Sequence, residues 1–175
     1  TNEIKKYWDK KFFDKAIISI STNIPIRKSL YEKSKKLKIP FANAICPSTR
    51  INRHLSIGEG NVICSLTHIG TCSSIGNNNF ISAQTNIEHH NVWGSHITTG
   101  PNCNTSSRVK IDDCVKFGMG IFIQPGISVG ENTTLFIYNN YFENNRSAVT
   151  GKDESTLYFY KNNYEDNILN IEAYI

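Results

Sequence analysis

The chain has 175 residues, 39% hydrophobic and 19% charged, with a net charge of +4. Such a balance excludes a disordered polymer, and no apolar run approaches the roughly 18 residues that a membrane-spanning helix needs. The five cysteines (Cys46, Cys64, Cys72, Cys103, Cys114) are odd in number and include no C-x-x-C, which argues against a disulfide framework or zinc site and for a reducing compartment.

Charge is unevenly spread. Residues 1–40 carry eleven Lys/Arg against four Asp/Glu, and the remainder carries eight against eleven. A solvated helix face explains such a basic end, and neither a nucleic-acid nor a membrane partner is expected. Residues 1–15 are charged and aromatic with weak helical character. Residues 16–21 (AIISIS) predict a short buried strand, and 27–37 an amphipathic helix with Leu30, Ser34 and Leu37 on one face. Pro40 stops that helix, and 41–45 predicts a second strand. Strand–helix–strand makes 1–44 a partial small α/β subdomain. The chain opens on Thr1 rather than Met, so a processing or fragment boundary is expected there.

From residue 45 to 135 the period changes to six. Isoleucine leads each hexad at positions 45, 51, 57, 63, 69, 75, 81 and 87. Trp93, Thr99 and Thr105 keep the register, and Ile111, Phe117, Ile123, Val129 and Leu135 restore the apolar lead. Helices repeat near 3.6 and half-buried strands near 2, whereas a strict six marks a parallel β-helix. The expected fold is therefore mainly β, with about five coils of three hexads. The lead residue and the one four places later point inward, each stacked on its equivalent one coil away. Cys46 and Cys64 stack in this way. After Leu135 the period fails, and 136–175 is expected to cap the prism or link to a further domain, with 156–175 a strand followed by a helix.

All five histidines lie between His54 and His96, three of them in EHHNVWGSH (88–96). Histidine suits proton transfer near neutral pH, and in the hexad frame His89 points out of the prism. Glu88, His89 and His90 are the candidate catalytic residues. His54 and His68 are isolated and read as structural or solvated. Arg27, Lys28, Lys35 and Lys36 are candidates to touch a nucleotide diphosphate, with a solvated helix face as the simpler explanation.

The segment NIEHHNV, followed by CVKFGMGIFIQPGISVGENT, resembles the hexapeptide-repeat acyltransferases of left-handed β-helix fold. Within them it is most similar to the branch holding sialic acid O-acetyltransferases and UDP-4-amino-sugar N-acetyltransferases. The similarity spans about residues 16–134. It implies a left-handed helix, acetyl-CoA as cosubstrate, no metal, a nucleotide-sugar acceptor, a homotrimer with sites between subunits, and a cytoplasmic location. His89 falls on the family's general base and Ser107, one coil on, on its backbone oxyanion donor. Coenzyme A contacts fall near Met119. The family's second histidine matches Thr98 in unbroken register, or His96 if two residues are skipped. The chain departs from the family in carrying His90 where an acidic residue usually follows the base, and in lacking the glycine-rich phosphate loop. N-acetylation of a nucleotide-linked amino-deoxysugar is the leading expectation. Sugar O-acetylation, or an inactive trimerising or sugar-binding prism, is the alternative. A β-helix zinc enzyme needs an H-x4-H pair that 88–96 does not supply.

Overall fold

The computed structural model describes residues 2–135, together with the backbone of 141–143, 150–151, 163–165 and 172–173. Helix α1 (Asn2–Asp9) opens the chain, and helix α2 (Ile24–Lys36) follows an extended stretch. Asn23 caps α2, its side-chain oxygen accepting the Ile26 N–H at 3.0 Å. Pro25 occupies the first turn, where its missing N–H breaks no helical bond.

Two expectations for this region are corrected. Segment 16–21 is not a strand: it makes one parallel bridge, Ala16 with Phe41, and Ile17 is exposed. The carbonyls of Ile20 and Ser21 instead accept hydrogen bonds from the Arg27 guanidinium, each at 3.0 Å. The buried face of α2 is Ile24, Arg27, Tyr31 and Ser34, and only Ser34 belongs to the expected set. Arg27 takes a position that apolar periodicity reserves for a hydrophobe, which shifts the whole face.

From residue 44 the chain winds through fifteen two-residue strands, from β1 (Ala44–Ile45) to β15 (Thr134–Leu135). One face of the prism stacks β1, β4 (Val62–Ile63) and β7 (Phe80–Ile81), continues through a bridge at Thr98, and ends with β12 (Lys116–Phe117) and β15. The second stacks β2 (Arg50–Ile51), β5 (His68–Ile69), β8 (Asn86–Ile87), β10 (Asn104–Thr105) and β13 (Phe122–Ile123). The third stacks β3 (Ser56–Ile57), β6 (Ser74–Ile75), β9 (Val92–Trp93), β11 (Lys110–Ile111) and β14 (Ser128–Val129). Each pairing is parallel and joins residues 18 apart, as in Ile63↔Ile81 and Ile69↔Ile87. Thr98 bridges both Phe80 and Lys116, so the register runs unbroken past the histidines.

Inside the prism the isoleucine leads from Ile63 to Ile87 are almost wholly buried. Ile45 and Ile51 are about 40% exposed because the first coil has no neighbour beneath it. At one corner the residues four places after the lead form an asparagine ladder. Asn43 Oδ1 accepts the Asn61 N–H, Asn61 Oδ1 the Asn79 N–H, and Asn79 Oδ1 the Ile97 N–H. A single coil carries Trp93, Thr99 and Thr105 on its three faces in place of three isoleucines. The indole is buried, and its bulk is offset by two short neighbours.

Helix α2 lies against this prism. Glu59 accepts from the Tyr31 hydroxyl and the Phe41 N–H, each at 3.0 Å, and pairs with Lys35. Burial alone would raise its carboxyl pKa, but these donors outweigh it and hold it below the usual value. Arg27 makes the second anchor. Its Nη1 donates to Thr98 Oγ1 at 2.8 Å, and its Nη2 to the carbonyls of His96 (2.8 Å) and Ile97 (3.0 Å). Desolvation lowers the guanidinium pKa to about 10, which leaves it charged.

Beyond residue 135 the described strands are again parallel, but with a longer step. Strand β16 (Tyr141–Glu143) pairs with β18 (Asn163–Glu165), and β17 (Thr150–Gly151) with β19 (Glu172–Ala173), each joining residues 22 apart. The sequence echoes at that interval: Leu135 and Leu157, Tyr138 and Tyr160, Asn140 and Asn162, Glu143 and Glu165, Asn145 and Asn167. Where period six fails, a second period begins. The expected strand-then-helix at 156–175 is corrected to strand at 163–165 and 172–173, and the rest of that expectation lies outside the described residues.

Candidate active site

The prism has three edges, each a column of four-residue corners. At the edge between the second and third faces the third corner residue adopts a left-handed backbone in every coil: His54, Cys72, His90, Arg108 and Gly126. His89 and His90 sit on this edge. Amides and carbonyls of adjacent coils fix the corner: His90 N–H donates to the Thr71 carbonyl at 2.9 Å, and Arg108 N–H to the His89 carbonyl at 3.1 Å. Gly70 lies one coil below Glu88, and a Cβ there would come within 2.5 Å of the His89 nitrogen. Only glycine allows the two coils to close at this point.

The two imidazoles meet. His89 Nδ1 and His90 Nδ1 are 2.9 Å apart, with ring centroids 5.1 Å apart and planes at 88°. His89 is half-buried and His90 exposed. Glu88 does not join them. Its Oε1 accepts from Asn86 Nδ2 (3.2 Å), whose Oδ1 accepts from His68 Nδ1 (2.7 Å), whose Nε2 accepts from Asn52 Nδ2 (3.1 Å). His68, expected to be structural or solvated, is part of a directed polar ladder on the second face. Ser107 lies one coil above His89, half-buried. Its carbonyl accepts from the Gly126 N–H at 3.0 Å.

The four residues expected to touch coenzyme A are not brought together within one protomer. Ser107 shares the edge of His89. Met119 is 68% exposed on the edge between the first and second faces. His96 and Thr98 lie on or beside the remaining edge, beneath α2. Thr98 Oγ1 accepts from Arg27 and donates to the Ser21 carbonyl at 2.9 Å, so its hydroxyl is committed. His96 is buried, accepts from Asn78 Nδ2 at 2.8 Å, and packs edge-on against Tyr31. Arg27, expected on a solvated face or at a diphosphate, is likewise a buried clasp.

Desolvation by burial, helped by the nearby Lys28 and Arg27 charges, lowers the His96 pKa from 6.5. A histidine with a depressed folded-state pKa stabilises fully above its unfolded value and less as pH falls below it. Glu59 follows the same sign from its own unfolded value of 4.5. Acid should therefore loosen the α2 seat in two stages, starting below pH 6.5 and deepening below 4.5. Amide exchange of α2 across this range checks it. His96→Asn, with a side chain suited to left-handed backbone, should remove the first stage.

A cavity of about 710 Å³ opens at the start of α2, lined by Asn23, Lys28, Cys114, Lys116, Asn132 and Thr134 among others. Lys28 Nζ lies 3.7 Å from Cys114 Sγ, and burial raises the thiol pKa. Sequence reasoning missed this cavity because its lysines are 88 positions apart and meet only through the docking of α2.

No protein-family model matches the chain, and no curated protein matches it in sequence. Solved structures match it closely in shape. PerB from Caulobacter crescentus, solved with CoA and GDP-perosamine, superposes with a TM-score of 0.75 at 19% identity, covering 97% of this chain and 72% of its own. WeeI from Acinetobacter baumannii gives 0.65 at 21%, covering 69% and 59%. The acetyltransferase domain of PglB from Neisseria gonorrhoeae, solved with acetyl coenzyme A, gives 0.66 at 17%, covering 70% and 59%. The chain thus has the left-handed parallel β-helix fold that these acyltransferases share.

Proposed function

We propose that the chain is an acetyl-CoA-dependent N-acetyltransferase that acts on the amino group of a nucleotide-linked amino-deoxysugar. The observation that carries this is the corner at 88–90, where His89 lies half-buried on the prism edge with Ser107 one coil above it. In this reading His89 Nε2 takes a proton from the amine as its nitrogen bonds to the thioester carbonyl carbon. The carbon–sulfur bond then breaks and the thiolate leaves with the electron pair. The Ser107 N–H faces the carbonyl oxygen as charge builds on it, where a preorganised donor contributes most. The neighbours in shape include proteins solved with CoA, acetyl coenzyme A and GDP-perosamine, which agrees with this choice of substrates. Lys28 and Lys116 give the cavity beside α2 a charge suited to the acceptor's diphosphate.

A homotrimer fits the same reading. Met119 and His89 occupy different edges of one prism, so a site using both is completed by a second copy, and a closed ring of three copies has three such sites.

His89→Ala should lower kcat by about 10²–10⁴-fold, the usual contribution of a general base, with the oligomer intact by sedimentation. Acetyl gain on a panel of nucleotide amino-sugars, followed by mass spectrometry, measures it; a fully active variant sinks the assignment. Gly70→Ala removes no catalytic group but pushes a methyl group into the 88–89 backbone, which shifts His89. Misplacement of that kind costs up to about 10²-fold, so kcat should fall while acetyl-CoA binding by calorimetry persists.

A further inference from the structure

We infer that His90 is the positioning residue for His89, accepting its Nδ1–H through a neutral imidazole and so leaving the His89 Nε2 lone pair free to act as base. This rests on the acetyltransferase reading of the 88–90 corner. The two Nδ1 atoms lie 2.9 Å apart, within hydrogen-bond distance. A neutral imidazole carries one ring proton, so two nitrogens at that separation share a single proton between them. If His89 holds it, the Nε2 of His89 is bare and the proton of His90 resides on its own Nε2. If His90 holds it, His89 carries its proton on Nε2 and has no base to offer. The direction of one hydrogen bond therefore decides whether the corner is competent.

The surroundings leave the two imidazoles to each other. The Glu88 carboxylate, the acidic group adjacent in sequence, accepts from Asn86 on the second face and is not the partner of His89. Arg108 occupies the same corner position as His90 one coil above. Cys72 lies one coil below His90 and His54 two coils below, in the same column. No carboxylate stands in this column from His54 to Gly126, which leaves the imidazole of His89 as the polar partner of the His90 ring. The left-handed backbone of His90, φ 61°, turns its side chain back toward its neighbour, and the amide bond to Thr71 fixes that turn.

The test uses three variants chosen for this backbone. His90→Gly deletes the acceptor without straining a left-handed residue, His90→Asn keeps a neutral acceptor, and His90→Asp supplies a charged one. Long-range nitrogen–proton NMR of the imidazoles reads the tautomers directly at alkaline pH. The wild type should show His89 protonated at Nδ1 and His90 bare at Nδ1. In His90→Gly, His89 should revert to the Nε2–H form preferred by free imidazole. Turnover of His90→Gly should fall by about 10–100-fold, part of the general-base contribution, with an unchanged KM for acetyl-CoA. His90→Asn should recover much of that loss. His90→Asp should recover it with the acid limb of its pH–rate profile moved to higher pH, because a carboxylate raises the basicity of its partner. A wild-type His89 protonated at Nε2, or a His89 tautomer indifferent to His90→Gly, overturns the inference. If the wild type acetylates no amino-sugar, the acetyltransferase reading fails, while the NMR arm still decides the pairing.

Discussion

Replacing Arg27 by Ala should unseat helix α2 from the prism and cost about 3–5 kcal/mol, the range for removing one partner from a buried charged network. The side chain is 1% exposed and its two terminal nitrogens donate five bonds. Four go to carbonyls, two in the stretch before α2 and two in the coil that follows His89. Ala leaves the Ile20 and His96 carbonyls without these donors in a site that excludes water, and burial of an unpartnered acceptor is what makes the loss large. Lys is not a substitute, because one ammonium on a flexible stem cannot span acceptors that a planar guanidinium bridges at once. Arg27→Lys should therefore recover less than half of the lost stability. Thermal unfolding, with amide exchange of α2, measures both, and a variant within 1 kcal/mol of wild type contradicts the anchor.

The second large effect concerns the coil with the odd core. Trp93→Ile should cost about 2–4 kcal/mol, because the prism closes only partly over the space the indole leaves. Thr105→Ile alone should cost about 1–3 kcal/mol by crowding that indole. Together they restore two members of the isoleucine pattern seen in the coils below. The Trp93 Nε1 and Thr105 Oγ1, both buried without a protein partner among the described residues, disappear with them. The double variant should thus be more stable than the sum of the singles by about 1–3 kcal/mol, a coupling a double-mutant cycle resolves. Thr99 stays, since its Oγ1 accepts the Ser82 N–H at 2.9 Å. Strict additivity would show that Trp93 and Thr105 do not share the space.

These two sites also mark what can be read from sequence. The coils were legible because strict hexads require each lead residue to stack on the one 18 positions away, so Ile63, Ile81 and their fellows declare the fold and its register. The same register placed His89 outward and Ser107 one coil above it. Arg27 was illegible. In a stretch rich in lysine, nothing distinguishes an arginine that will be buried, and its acceptors are mostly backbone carbonyls, which carry no residue signature. Its burial then misdirected the expected face of α2 and the expected strand at 16–21. The contacts of Thr98 and His96 were hidden for the same reason, because the register gives their edge but not that α2 covers it. The contact between His89 and His90 depends on a left-handed turn that histidine shares with Leu66, Gln84 and Asn102 on other corners, so residue type could not announce it. The 22-residue echo was present in the letters, but a search in sixes passes over it.

The 18-residue step of the ladders has a further meaning for insertions and deletions. Loss of a few residues within the coils would rotate every later strand onto the wrong face, whereas excision of one whole turn leaves all ladders in register. On that criterion alone any turn could be lost and the prism would still close. The site is less forgiving: Glu59, the histidine corner with the carbonyls that grip Arg27, and Ser107 sit on three successive or near-successive turns. Losing one of these turns would keep the ladders and shift the helix seat against the histidines, so the scaffold tolerates a change of length that its functional surface does not.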